Sequence, residues 1–154
     1  MTNPLATLHD EQATIGSLID LMQQEQHFLV SADSDGLDQL TPQKAELVQQ
    51  AASLAIRRHQ ALGSAGFAAS ENGMTAWLAE AGAEARAQWT ALLNRTRAAK
   101  ELNRVNGLLI NKQLSHAQQA LQAMRTPANG AEPGLYGPAG QATAGGASRR
   151  YVIG

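Results

Sequence analysis

The chain has 154 residues, a length that suits one domain with one core, and 44% of them are hydrophobic, near the globular average. Aromatics make up only 4%, and Cys is absent, which excludes disulfides, thiolate nucleophiles and Cys-type zinc sites. A net charge of −1 argues against nucleic acid as a partner, because that needs a strongly basic face.

Much of the apolar content is Ala and Leu, accompanied by Gln, Arg and Glu, all good helix formers, while β-branched and aromatic residues are scarce. The expected fold class is all-α. The opening residues lack a basic segment followed by an apolar run, and no stretch approaches ~18 consecutive apolar residues. The expectation is a cytoplasmic protein without membrane insertion.

In chain order, Asn3-Pro4 predicts a helix start, with Asn as cap and Pro in the first turn. Leu5, Leu8, Ile15, Leu18, Ile19, Met22, Leu29 and Val30 then recur at spacings of three and four, predicting an amphipathic helix to about residue 32. Gly16 is a weak point inside it. Ser31 to Gly36 reads as a turn, and Thr41-Pro42 as the next cap and first turn. Leu47, Val48, Ala51, Leu54, Ala55, Ala61 and Leu62 carry a second stripe to about residue 64, where Gly63 and Gly66 end it. A short loop between two helices implies an antiparallel hairpin.

Residues 67–73 read as a loop with Asn72-Gly73 as its turn pair, and Met74 to Ala81 as a short helix ending near Gly82. A long helix is predicted from about Glu84 to Arg125, which at 1.5 Å per residue extends roughly 60 Å. From Thr126-Pro127 the composition shifts: residues 126–154 hold seven of the fourteen Gly and three of the five Pro. Such a segment buries too little apolar area to offset its ordering entropy, so the reading is a helical bundle over 1–125 and a flexible tail over 126–154. Together these elements predict a left-handed bundle: an antiparallel helical hairpin plus a long C-terminal helix.

Charge is sorted along the chain. Residues 1–50 carry eight acids against Lys44, and residues 51–125 carry nine bases against four acids. Acidic early helices packed beside basic later ones account for this, with a basic partner site as the alternative. The histidines His9, His27, His59 and His116 show no i, i+3 or i+4 pairing, so neither a metal nor a cofactor is expected. No nucleophile-elbow, phosphate-loop or dinucleotide motif occurs, and no catalytic residue is assigned. His59, Leu62, Gly63 and Gly66 loosely resemble the active-site helix of histidine-phosphotransfer bundles, with the spacing off by one and that family's Lys missing.

The unusual segment is Glu101 to Ser115. Asn103, Asn106, Ile110 and Gln113 share a stripe with Ala99 and Ala117, placing amides where a bundle normally puts Leu or Ile. A buried amide without partners costs about 1–3 kcal/mol, so such residues fix register or wait for a partner's backbone. Leu108, Leu109 and Ile110 are consecutive and cannot all face one seam. Either the hairpin covers both sides, with Gly107 permitting close approach, or a partner does.

Taken together, the hairpin, the run Asn103-x-x-Asn106-Gly107-x-Leu109-Ile110 and the tail string Tyr136-Gly137-Pro-Ala-Gly140 resemble the FlgN family of flagellar export chaperones. Glu25, Leu29, Leu40, Lys44 and Leu47 around the first turn add to the likeness, and Ala139 departs from it, standing where an acidic residue or Asn is more usual. The resemblance implies binding without chemistry. Family members hold the C-terminal helical segments of flagellar hook-associated (hook–filament junction) proteins, prevent premature assembly and deliver them to the export gate. By position, Leu102, Asn103, Asn106, Leu109, Ile110 and Leu114 become substrate-binding candidates, and Tyr136 the export-gate contact. The implied protein is a monomer or weak homo-oligomer. The alternatives are a self-assembling coiled-coil protein using the same stripe and the phosphotransfer bundle.

Overall fold

The structure, a computed structural model, describes residues 3–135, with side chains through residue 125. Among the described residues there are four helices: α1 Pro4–Val30, α2 Ser34–Ser64, α3 Glu71–Ala81 and α4 Ala83–Leu135. The expected all-α class is what forms. Among the described residues, 3–110 make one unit and 111–135 belong to a second.

The first helix starts as its sequence predicts. The Asn3 side chain accepts from the Leu5 N–H at 2.8 Å, and Pro4 supplies a first-turn residue whose missing N–H is no loss. Its end is less expected. Asp33 N–H donates to Phe28 O and Ala32 N–H to Leu29 O, the paired bonds of a Schellman stop, with Ala32 at φ 56°. A non-glycine residue is thus held in the left-handed region.

Asp33 begins the next helix at once, its carboxylate accepting from Gly36 N–H at 2.9 Å. The second helix therefore starts at Ser34 rather than at the Thr41-Pro42 pair, and Pro42 lies inside it. Thr41 does not cap: its hydroxyl donates to Leu37 O at 2.9 Å. Pro42 stands nine residues, about two and a half turns, after the Asp33 cap, beyond the first turn where a missing N–H costs nothing. Gly36 is needed for packing, since a Cβ would meet the Phe28 ring at 2.8 Å. The α2 helix closes on a second Schellman stop, with Phe67 N–H to Leu62 O at 2.9 Å, Gly66 N–H to Gly63 O at 3.1 Å, and Gly66 at φ 91°.

The third helix also starts earlier than its sequence predicts, at Glu71, taking in Asn72 and Gly73. A close backbone approach from the preceding loop overrides turn chemistry here. Gly73 is buried, and a Cβ on it would stand 1.8 Å from Ala68 O. The fourth helix runs through Thr126-Pro127 to Leu135, past the end predicted at Arg125. The remainder of the expected tail, with Tyr136, lies outside the described residues.

Side-chain pairing fixes the directions within the first unit. Glu11 meets Arg58 and Glu25 meets Lys44, so α1 and α2 are antiparallel. Gln12 meets Gln88 while Met22 meets Asn106, so α4 runs parallel to α1. Two buried clusters form the core. Leu8, Leu62, Met74 and Leu92 join all four helices, with Trp77 and Trp89 against them; Leu18, Met22 and Ala99 form the other, with Leu47 and Leu102 alongside. Each buried Leu or Met contributes about 1.5–3 kcal/mol.

Two substitutions test this reading of the turns. Ala32→Gly removes the left-handed penalty and should stabilise the protein by about 0.5–1 kcal/mol in urea unfolding. Gly73→Ala should destabilise it by more than about 2 kcal/mol, because the carbonyl it meets is backbone.

Candidate functional site

A buried polar network ties α4 to the hairpin. The Lys44 ammonium donates to both Glu25 oxygens, at 3.1 and 3.2 Å, and to Asn103 Oδ1 at 2.7 Å. Asn106 Nδ2 donates to Glu25 Oε1 at 2.8 Å and to Met22 O at 2.9 Å. Glu25, buried on α1, thereby receives a donor from each of the other two long helices. Asn106 is 1% exposed, and its Oδ1 has no hydrogen-bond partner among the described residues.

The sequence-derived candidates separate accordingly. Asn106 is buried, with its amide N–H groups spent on α1, so it sets register rather than offering a surface. Asn103 is exposed but accepts from Lys44, and Leu102 is half-buried against the second cluster. Leu109 is half-buried, whereas Ile110 and, in the second unit, Leu114 are exposed. Leu108, Leu109 and Ile110 do not all face one seam: the first and third are exposed. Gly107 does not mediate a close approach, since a Cβ there would meet nothing within 4 Å.

The second unit, taken alone, carries its own apolar stripe. Leu114, Ala117, Leu121 and Met124 follow each other at spacings of three and four, and all are exposed.

At the other end of the hairpin, Arg58 is 5% exposed and sits between α1, α3 and α4. Its Nε donates to Glu11 Oε1 at 2.9 Å, one Nη donates to Glu71 Oε1 at 3.2 Å, and the guanidinium lies 4.9 Å from the Trp89 ring centre. Burial pushes the Glu11 carboxyl above its ordinary value, and Arg58 only partly offsets this. Burial also pushes Glu71 up, but His59 and Arg58 outweigh it and hold that carboxyl below the usual range. His59 is half-buried, with Nε2 3.0 Å from Glu71 Oε1. That contact gives His59 a structural partner; His9, His27 and His116 are exposed.

Between these polar ends lies a feature that sequence periodicity did not separate from the core. A cavity of about 360 Å³ opens between α2 and α4, with Ala51, Ala55, Leu93 and Thr96 on its walls and Ile15 on its floor. A neighbouring cavity of about 250 Å³ shares Ile15 and Thr96 and reaches Val48, Lys100 and Asn103. The available signal was Ala at 51, 55 and 99, where a closed bundle places larger residues.

The FlgN family, described as FlgN protein, matches residues 1–144. The chain belongs to the FlgN family. This is a family of flagellar export chaperones, not of enzymes, whose members bind hook-associated proteins. No curated protein and no solved structure matches the chain. No helix among the described residues is long and apolar enough to cross a membrane.

The polar contacts yield two expectations. Asn106→Ala leaves Glu25 short of a buried donor and should cost about 1–3 kcal/mol in chemical denaturation. Glu71 has a depressed folded value, so its contribution is full above 4.5 and is lost as pH falls through the lower folded value. Glu71→Gln should therefore flatten the acid limb of a stability–pH curve below 4.5.

Proposed function

We propose that this FlgN-family protein works in the cytoplasm as the export chaperone of hook-associated proteins, holding their C-terminal helical segments and delivering them to the flagellar export gate. The observation that carries this reading is the uncovered apolar side chains of α4: Ile110, exposed in the first unit, and, within the second unit by itself, the stripe of Leu114, Leu121 and Met124. Covering such side chains contributes about 1.5–3 kcal/mol each, which suits an amphipathic helix laid along a helix face.

Within that surface Leu109, Ile110 and Leu114 are the contact residues. Leu102, Asn103 and Asn106 act from behind it by holding α4 against the hairpin. Gly107, which faces open space, leaves room for a partner's backbone beside them. Tyr136, outside the described residues, is assigned to the export gate, and binding at both sites proceeds without chemistry.

Calorimetric titration with the C-terminal segment of a hook-associated protein from the same bacterium tests the proposal. Ile110→Asp and Leu114→Asp alter exposed positions, so helicity should hold while affinity falls by more than about tenfold. Unchanged affinity in both variants overturns the surface assignment. Tyr136→Ala should leave this titration unchanged and weaken binding to the soluble domain of the export gate.

A further inference from the structure

The two cavities between α2 and α4 share Ile15 and Thr96, so they form one trough along the first unit. Ile15, Leu18 and Met22 of α1 make its floor. Val48, Ala51 and Ala55 make the α2 wall, and Leu93, Thr96 and Ala99 the α4 wall. From Lys44 to Arg58 the α2 wall runs about 21 Å at 1.5 Å per residue, the length of four helical turns. Alanine walls let another helix backbone come close, and side chains as large as Val48 stay half exposed without it.

Charge divides this trough. One end is lined by Glu11 and Glu71 against Arg58, leaving an acid in excess. The other is lined by Lys44 and Lys100, with no acid in the lining. Lys44 is answered from behind by Glu25, while Lys100 is exposed and makes no ion pair among the described residues. An α-helix carries partial positive charge at its N-terminus and partial negative charge at its C-terminus. A helix that ends a polypeptide adds its α-carboxylate.

We propose that the α2–α4 trough receives the terminal α-helix of the export substrate, with its C-terminal end and carboxylate at Lys44 and Lys100 and its N-terminal end toward Glu11 and Glu71. The opposite polarity sets a free carboxylate beside two others. The proposal rests on the preceding reading that the partner is a C-terminal helical segment: the last helix of that segment takes the trough, and the exposed α4 side chains are left to the rest of the segment.

The test uses the full chain, isotopically labelled, and the C-terminal segment of a hook-associated protein bearing a nitroxide. The chain contains no Cys, so a cysteine in the segment is the only labelling site. With the label on its last residue, amide broadening should centre on Val48, Ala99 and Lys100. With the label four turns upstream, it should move to Ala55 and Trp89. Ala55→Trp should weaken binding about tenfold, and Lys100→Glu, an exposed change that spares the core, about threefold.

Reversed broadening overturns the polarity, and broadening confined to 108–125 with affinity intact overturns the trough while the chaperone reading stands. Absence of binding by the unsubstituted chain removes that reading and the trough with it. If Ala55→Trp folds and instead abolishes self-association without touching segment affinity, the trough belongs to a second copy and the proposal fails.

Discussion

A carboxylate buried among three helices must be answered by donors from its neighbours, and Glu25 is answered by Lys44 of α2 and Asn106 of α4. Apolar packing alone would let α4 slide by a turn against the hairpin, since Leu and Ala surfaces repeat. The donors do not repeat. Lys44 reaches Asn103 as well as Glu25, and Asn106 reaches the Met22 carbonyl, so one axial position makes all these bonds at once and leaves only Asn106 Oδ1 without a partner among the described residues of this network. Within the first unit that register also sets which of Leu108, Leu109 and Ile110 faces outward.

The Glu11–Arg58 pair at the opposite end serves the same purpose with a different chemistry. Arg58 is nearly enclosed, packed over Trp89 and bridged to α3 through Glu71. Removing one partner of such a pair leaves an uncompensated charge in a low-dielectric site, so it acts as a clasp more than as a source of stability. Between these clasps the helices are held at fixed separation, and the interior need not be filled completely. Ala51, Ala55 and Ala99 leave the space, and the polar ends keep it from collapsing.

Much of this architecture could be read from the residues. The Asn3-Pro4 start, the Gly66 and Gly82 breaks and the hairpin follow from local chemistry, which acts within a few residues. Two elements depart from their sequence signals because a neighbouring residue outranks the motif. Thr41-Pro42 looks like a helix start, but Asp33 caps earlier, and Pro42 is then carried inside the helix. Asn72-Gly73 looks like a turn, but Ala68 requires a glycine inside α3. The Asn103–Asn106 motif was visible as anomalous polarity. Whether its amides face inward or outward depended on Glu25, 81 residues away from Asn106, and periodicity carries no such information. Alanine is ambiguous in the same way, because it suits both a tight core and the wall of a trough.

The three-residue link between α1 and α2 has a consequence for the order of assembly. Lys44 and Glu25 are 19 residues apart, so their contact closes a short loop, whereas Asn106 must close one of 81. Loop entropy and contact order both favour the hairpin first, with α4 docking onto a finished template. During synthesis the hairpin therefore emerges whole while Asn106 has yet to be added. Glu25 spends that interval with Lys44 alone, and the nascent hairpin offers its apolar side to whatever helix arrives, α4 being the nearest.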